Sequence, residues 1–277
     1  MRHPSSVLSP AGPLLVLAAA LTAHPLRAQR EAPAPLRHHP LQLDCAHYHQ
    51  AIESEVVTEV GNRRLQERTG RDGVLVVGAT PGDSSIAIEA WFNALLVWRE
   101  GVGERIEPET DGVIGGRFRG RLTPAGSYRE EERPFVPDEV AAVADVGGTL
   151  QDFFPPLPEP RLGVGESWSD SLRWTFRRLP DAGVGGRPVE RYRLDGLQDH
   201  TVPVLLPDST VIDAVRSETE TGTLYWDPEL GMTAWAREVQ VQADLVLGGR
   251  KPAWRTRIRQ RNTVTRLAGE AGCSVGH

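Results

Sequence analysis

Four arginines near the C-terminal end are the clearest candidates for chemistry in this sequence. They occupy every second position of the stretch RTRIRQRN, as Arg255, Arg257, Arg259 and Arg261. Because alternate side chains of an extended strand share a face, the four guanidinium groups would form a cationic ridge about 20 Å long. Guanidinium groups pair with carboxylates and phosphates, so the ridge predicts an anion-binding surface or, alternatively, a row of ion pairs with acidic neighbours.

The segment before the ridge predicts which residues its arginines face. If GGRK at 248–251 is a hairpin loop, the strands on either side pair in one register. The expected pairs on the polar face are Asp244 with Arg255, Gln242 with Arg257, Gln240 with Arg259 and Glu238 with Arg261, and on the apolar face Val241 with Ile258 and Trp235 with Val264. Since Arg257 and Arg259 face glutamines, we expect these two to keep donors for an anion.

Other reactive side chains form no catalytic or metal-binding pattern. Four histidines lie near Cys45, at 38, 39, 47 and 49, but no CxxC or HExxH spacing accompanies them. The segment GESWS around Ser167 lacks the second glycine of a nucleophile elbow. We therefore predict no catalytic residue, no metal site and no cofactor, with an uncharacterised hydrolase kept as an alternative.

Aromatic residues indicate a second kind of candidate site, one for a hydrophobic ligand. Most of them fall within segments that read as strands, where core packing is the ordinary role. An incompletely filled, curved sheet would however leave an apolar trough for an acyl chain. The residues that we predict to line such a trough are Trp91, Phe153, Phe154, Trp235 and Trp254.

Period-two alternation runs through most of the chain and predicts the fold class. Segments such as AIESEVVTEV at 51–60 and SIAIEAWFNALLVWRE at 85–100 alternate polar and apolar residues between Gly, Pro or Asp. The exception is 137–157, which begins with Pro, Asp and Glu and continues with helix-like spacing. We predict a mainly β protein: a large antiparallel meander forming an open half-barrel or strongly curved sheet, with one short helical segment packed on the concave side.

The two ends predict export and the domain boundaries. Arg2 precedes the apolar run LLVLAAAL, which is too short to span a bilayer and is followed by a plausible cleavage position at Ala28. We expect a signal peptide at 1–28, a disordered linker at 29–44, a single β-rich domain at 45–273 and a flexible tail at 274–277. In an oxidising compartment Cys45 and Cys273 would form a disulfide, or else remain as two thiols near the ends.

Overall charge limits the partners. The chain has 31 Lys and Arg against 37 Asp and Glu, a net charge of −6, so we expect no nucleic-acid partner. Beyond the N-terminal run, no stretch has the length and hydrophobicity of a membrane-spanning helix, so we do not expect an integral membrane protein.

Two motifs resemble those of a known group of proteins. FFPPLPEPRLGVGESWSDS at 153–171 contains a VGxxW entry into a strand, through Val164, Gly165 and Trp168, and GTLYWDPELG at 222–231 ends in an aromatic-Asp turn. Together they resemble a family of uncharacterised exported bacterial β proteins, similar in outline to the open half-barrels of Lol-type periplasmic carriers of lipoproteins and lipids. The resemblance implies a fold, an exported location and an analogy to hydrophobic-ligand binding.

Two hypotheses about function follow. The first is a non-enzymatic periplasmic or secreted envelope protein that binds a lipid or the acyl chain of a lipoprotein in an apolar trough. The second is a structural or assembly partner of envelope proteins, which would use a sheet edge or the arginine-rich strand face.

Overall fold

The computed structural model describes residues 34–101, 103–151, 153–170, 173–205, 211–245 and 254–268. These residues form twelve strands and two four-residue helices, so the mainly β prediction is confirmed. The elements are α1 (Pro40–Leu43), β1 (Ala46–Val60), β2 (Arg63–Pro81), β3 (Ile86–Glu100), β4 (Arg105–Ile106), β5 (Phe118–Leu122), β6 (Tyr128–Glu132), α2 (Asp138–Ala141), β7 (Ser167–Ser169), β8 (Trp174–Val184), β9 (Arg187–Leu205), β10 (Val211–Asp227), β11 (Gly231–Leu245) and β12 (Trp254–Arg266).

All twelve strands belong to one antiparallel sheet. Its order is β6-β5-β3-β2-β1-β12-β11-β10-β9-β8-β7, with β4 paired to β3 beside this path. The first and last strands, β1 and β12, are neighbours in the middle of the sheet, and β6 and β7 form its two edges. Within the described part of the chain these edges do not pair with each other, so the sheet is open, as predicted.

Alternation in the sequence explains which face of each strand is buried. In β3 the side chains of Ile86, Ile88, Ala90 and Phe92 point into the core and their neighbours point outward. A bulge opposite Val74 and Leu75 then adds one residue to β3, and the buried positions change from even to odd numbers. One strand can therefore keep an apolar face although its alternation is interrupted.

The predicted hairpin register between β11 and β12 is confirmed. Asp244 lies opposite Arg255, Glu238 opposite Arg261, Val241 opposite Ile258 and Trp235 opposite Val264. The predicted loop at 248–251 lies outside the described residues.

The segment that contains α2 fills part of the concave side of the sheet. After the first turn at Asp138–Ala141, its apolar side chains pack into one cluster with residues of β1, β2, β3, β5 and β8 to β12. Rings of Phe153 and Tyr48 meet edge-to-face with centroids 5.1 Å apart. The side chains of this segment that are buried in the cluster are Val140, Val143, Val146, Leu150, Phe153, Phe154, Leu157 and Leu162. Each contributes roughly 1.5–3 kcal/mol by leaving water, so the segment is part of the core.

Residues 34–44 differ from the predicted disordered linker. Leu36, His38 and Leu43 are buried, and α1 occupies Pro40–Leu43. The backbone N–H of His38 donates to the carbonyl of Pro124 at 2.9 Å, which fixes the segment to the turn between β5 and β6. The apolar side chains of Leu36 and Leu43, although they stand among prolines in the sequence, thus pack as part of the core. The predicted signal peptide and the tail at 274–277 lie outside the described residues.

Both described helices have only four residues, too few to cross a lipid bilayer.

Candidate functional site

The central strands continue past the part of the concave side that the α2 segment fills. We call this continuation the distal sheet. Its residues are 53–60 of β1, 63–70 of β2, 214–220 of β10, 237–245 of β11 and 254–262 of β12. Paired residues of neighbouring strands share a face, so the registers assign every side chain to an inner face, which continues the core, or to an outer face.

The outer face carries the four arginines between two partially acidic strands. On one side, β1 places Glu59, Val57, Glu55 and Glu53 opposite Arg255, Arg257, Arg259 and Arg261. On the other side, β11 places Asp244, Gln242, Gln240 and Glu238 opposite the same four residues. We call this surface the arginine face. The predicted ridge therefore exists, and two rows of mostly polar side chains flank it.

Ion pairs occupy part of each guanidinium group. Arg255 Nε donates to Asp244 at 2.7 Å, and Arg259 Nε donates to Glu238 at 2.9 Å. Arg257 Nη1 lies 3.4 Å from Glu59, a residue of β1. The expectation that Arg257 and Arg259 face only glutamines is therefore wrong, because β1 and the diagonal neighbour Glu238 supply carboxylates. A guanidinium group has several N–H donors, so one such contact leaves others for a ligand.

Hydrogen bonds stabilise the charged form of both carboxylates on β11. The bond from Arg255 lowers the pKa of Asp244, and partial burial opposes this effect. The bond from Gln240 lowers the pKa of Glu238, burial opposes it, and Arg259 lowers the pKa further. Both carboxylates are thus held ionised, and an anionic ligand would have to compete with them for the arginines.

A cavity of about 510 Å³ opens on the arginine face. Arg64 of β2 and the ridge residues Arg257 and Arg259 supply three guanidinium groups to its lining, against one carboxylate, Glu55. Hydroxyl groups of Ser217 and Thr219 and the amides of Gln240 and Gln242 complete the polar part. The lining combines excess positive charge with neutral hydrogen-bonding groups, which is the chemistry that binds an anion.

Sequence reasoning missed the lining residues that come from β1, β2 and β10. It paired β12 with β11 alone, since that hairpin is local, whereas the neighbour β1 is about 200 residues away along the chain. One pattern in the sequence matches the ridge: Glu53, Glu55 and Glu59 recur at odd positions of AIESEVVTEV and so share one strand face. Arg64, Ser217 and Thr219 had no comparable pattern.

The inner face of the distal sheet carries an apolar strip. Val56, Ile258 and Val241 are paired across β1, β12 and β11, as are Val60, Trp254 and Leu245, and the pair of Thr58 and Thr256 lies between the two rows. Val56, Ile258 and Trp254 are half-buried and Val60 is exposed. The strip lies beyond a cavity of about 190 Å³ that the α2 segment and the sheet line together through Ala144, Asp145, Ser54 and Gln260.

Paired charges border the apolar strip on β10. Glu220 is buried and accepts hydrogen bonds from Arg237 at 3.0 Å and from Arg173 at 2.7 Å. Arg173 also donates to Glu218 at 2.6 Å. Because a buried carboxylate is costly unless it is paired, this network is accounted for by its own contacts and needs no ligand.

The five residues predicted to line a hydrophobic trough are not brought together. Phe153, Phe154 and Trp235 are buried in the core cluster. Trp91 points to the opposite face, where the guanidinium of Arg117 lies 3.7 Å from its ring centroid. Only Trp254 lies on the apolar strip of the distal sheet.

The proposed disulfide involves one described residue. Cys45 is half-buried just before β1, and the N–H of Leu267, after β12, donates to the carbonyl of His47 at 2.9 Å. Cys45 and Ala268 line the same cavity of about 440 Å³. Cys273 lies outside the described residues, so the pairing stays a prediction, supported by the closeness of Cys45 to Ala268.

Comparisons with known proteins do not assign a family. No protein-family model matches the chain, and no curated protein matches it. Solved structures that match the chain weakly include Neisserial surface protein A, with 8% identity over 80% of this chain and 97% of that chain and a TM-score of 0.22. A DUF1329 family protein from Desulfovibrio piger has 9% identity over 82% and 88%, with a TM-score of 0.20. The β domain of the Bordetella autotransporter Brka has 9% identity over 81% and 100%, with a TM-score of 0.24. Similarity at this level supports no inference about function.

Proposed function

We propose that this protein is a non-enzymatic binding protein of the bacterial envelope whose arginine face takes an anionic ligand. The observation that carries the proposal is the cavity of about 510 Å³ in which Arg64, Arg257 and Arg259 outnumber the single carboxylate of Glu55. Export to the envelope rests on the predicted signal peptide.

The ion pairs already present determine what kind of binding to expect. A ligand carboxylate or phosphate replaces part of the contacts to Glu59 and Glu238, so each contact adds only a modest net free energy. Useful affinity then requires several contacts at once, made to arginines and to the neutral Gln, Ser and Thr groups. Because the arginine face is open to solvent, the affinity should fall steeply as salt is added.

The test is calorimetric titration with polygalacturonate, a polymer of uronic acid, at about 10 mM salt. The double variant Arg257→Gln/Arg259→Gln removes two ridge charges from the cavity. Its matched control is Arg119→Gln/Arg121→Gln, which removes two ion-paired arginines with the same spacing from β5, on another part of the sheet. We expect the ridge variant to lose at least about tenfold in affinity and the control to bind like the wild type. Equal losses in both variants would show that net charge alone attracts the polymer, and the proposal would fail.

A second candidate function is binding of an amphiphilic envelope lipid on the inner face. The observation that favours it is the apolar strip of Val56, Ile258 and Trp254, three half-buried apolar side chains on the inner face beyond the α2 segment. Such a ligand would cover half-buried apolar side chains and gain about 25 cal/mol per Å².

Two neighbouring residues of β1 separate the two functions. Val56 belongs to the inner strip and Val57 to the outer cavity, and both side chains are half-buried. With N-phenylnaphthylamine, a neutral apolar fluorescent probe, Val56→Glu should abolish the fluorescence increase while Val57→Glu keeps it. With polygalacturonate we expect the opposite: Val57→Glu should weaken binding and Val56→Glu should leave it unchanged. If wild-type protein gives no fluorescence increase with the apolar probe, the amphiphile function is excluded.

Strand addition at a sheet edge has less support. The edge strands are Tyr128–Glu132, with five residues of which four are charged, and Ser167–Ser169, with three residues. Short and charged edges oppose pairing with a further strand. Of the two surfaces considered for a partner protein, the structure therefore favours the arginine face.

A further inference from the structure

We infer that the ligand of the arginine face is an extended acidic polysaccharide that lies along β12; this inference rests on the proposed anion-binding function. Three cavities of the outer face share lining residues. The cavity of about 510 Å³ and a second of about 130 Å³ share Glu55 and Arg259, and the second shares Arg261 with a third of about 300 Å³. The three cavities therefore adjoin one another along β12, and we call them together the groove.

The groove has the length of several ligand units. It follows β12 from Arg257 to Thr263, which is about 20 Å at the rise of an extended strand. A compact anion such as a single phosphate or a lipid headgroup fills only one of its three cavities. A chain with an acidic group on successive units reaches all three.

Among the outer-face side chains that line the groove, arginines outnumber carboxylates at every cavity. The side chains of the outer face that line it include six arginines and three glutamates: Arg64, Arg68, Arg193, Arg257, Arg259 and Arg261 against Glu53, Glu55 and Glu238. Two of these arginines also pair with carboxylates outside the lining, Arg68 with Glu100 and Arg193 with Asp195. Neutral Ser, Thr and Gln groups of β10 and β11 lie beside the row of ridge arginines on β12. The groove therefore offers partners both to carboxylates and to sugar hydroxyls.

The lining distinguishes a polysaccharide from a nucleic acid and from a lipid. Single-stranded nucleic acid is held by aromatic side chains on which bases stack, and none of the described residues lining the three cavities is aromatic. A lipid would need a continuous apolar floor, whereas valine, isoleucine and alanine are a minority of the lining. Sugars need hydroxyl and amide partners, which the groove supplies.

The experiment is a length series of galacturonate: the monomer, dimer, tetramer and hexamer titrated into the wild-type protein at fixed low salt. Several weak contacts on one chain act as linked sites, so we expect the dissociation constant of the hexamer to lie at least about tenfold below that of the dimer. Arg193→Gln, at the far end of the groove from Arg64, should weaken the hexamer more than the dimer. Arg129→Gln, an exposed arginine of β6 that pairs with Glu131, is the matched control and should change neither.

The outcomes distinguish this inference from the proposed function. If no galacturonate of any length binds, anion binding by the arginine face fails and the groove fails with it. If the monomer binds as tightly as the hexamer, anion binding stands and the extended ligand is wrong. If an oligothymidylate with the same charge as the galacturonate hexamer displaces it and binds more tightly than it does, the ligand is a nucleic acid and the polysaccharide assignment is wrong.

Discussion

His38 provides a quantitative test of how the N-terminal segment packs. Its side chain is buried, and its ring lies edge-to-face against Phe154 and Trp226 with centroids 5.7 Å and 5.4 Å away. Burial lowers the pKa of His38 from 6.5 to about 4, and a contact with the carbonyl of Pro155 opposes this only in part. In a disordered linker, the pKa would stay near its ordinary value.

The sign and size of the effect on stability follow from this difference. The unfolded chain binds a proton at His38 below about pH 6.5, whereas the folded protein resists protonation down to about pH 4. Stability from the neutral buried ring is therefore complete above pH 6.5 and is lost as the pH falls towards 4. The gap between the two pKa values corresponds to about 3 kcal/mol.

The assay is urea unfolding followed by tryptophan fluorescence at about pH 7.5 and about pH 4.5. Carboxylates also titrate in this range, so the informative quantity is the difference between variants. His38→Phe should lose about 2 to 3 kcal/mol less than the wild type on acidification, because the phenylalanine ring takes up no proton. His49→Gln, at a half-buried histidine paired with Asp72, is the control and should not reproduce this protection. If His38→Phe and the wild type lose the same free energy, the packing described for residues 34–44 is wrong.

Two further predictions concern the core and the chain ends. Gly222→Ala should lower the free energy of unfolding by about 1 to 3 kcal/mol, because a Cβ there overlaps the buried ring of Trp235. The control is Gly183→Ala, where a Cβ meets nothing within 4 Å, and it should not lower the free energy of unfolding. Equal urea midpoints for the two variants would contradict this prediction. Non-reducing peptide mapping should find Cys45 linked to Cys273, and reduction should destabilise the protein by roughly 5 kcal/mol in the chain-entropy model. Two alkylatable thiols in the exported protein would refute the link.

Local features of the fold were predictable from the sequence. Alternation identifies strands because the side chains of a strand face opposite sides of the sheet. The β11–β12 register was predictable because the two strands are close in the chain and only one register gives both a polar and an apolar face.

Features that depend on distant parts of the chain were not predictable. The pairing of β1 with β12 brings Glu55 and Glu59 to the ridge, and nothing local to either strand specifies that neighbour. The roles of Phe153 and Phe154 were also undetermined, since hydrophobicity is the same for a side chain that fills the core and for one that lines a ligand trough. Packing of residues 34–44 was hidden because Leu36 and Leu43 stand among prolines and histidines without periodicity.

NMR of the arginine side chains tests the central claim most directly, because it reports on the groups that should hold the ligand. Polygalacturonate added to protein with 15N-labelled arginine should shift the Nε–Hε signals of Arg64, Arg257 and Arg259 and leave those of Arg119 and Arg121 in place. Unchanged signals for all five, or larger shifts for Arg119 and Arg121, would contradict an anion-binding function of the arginine face.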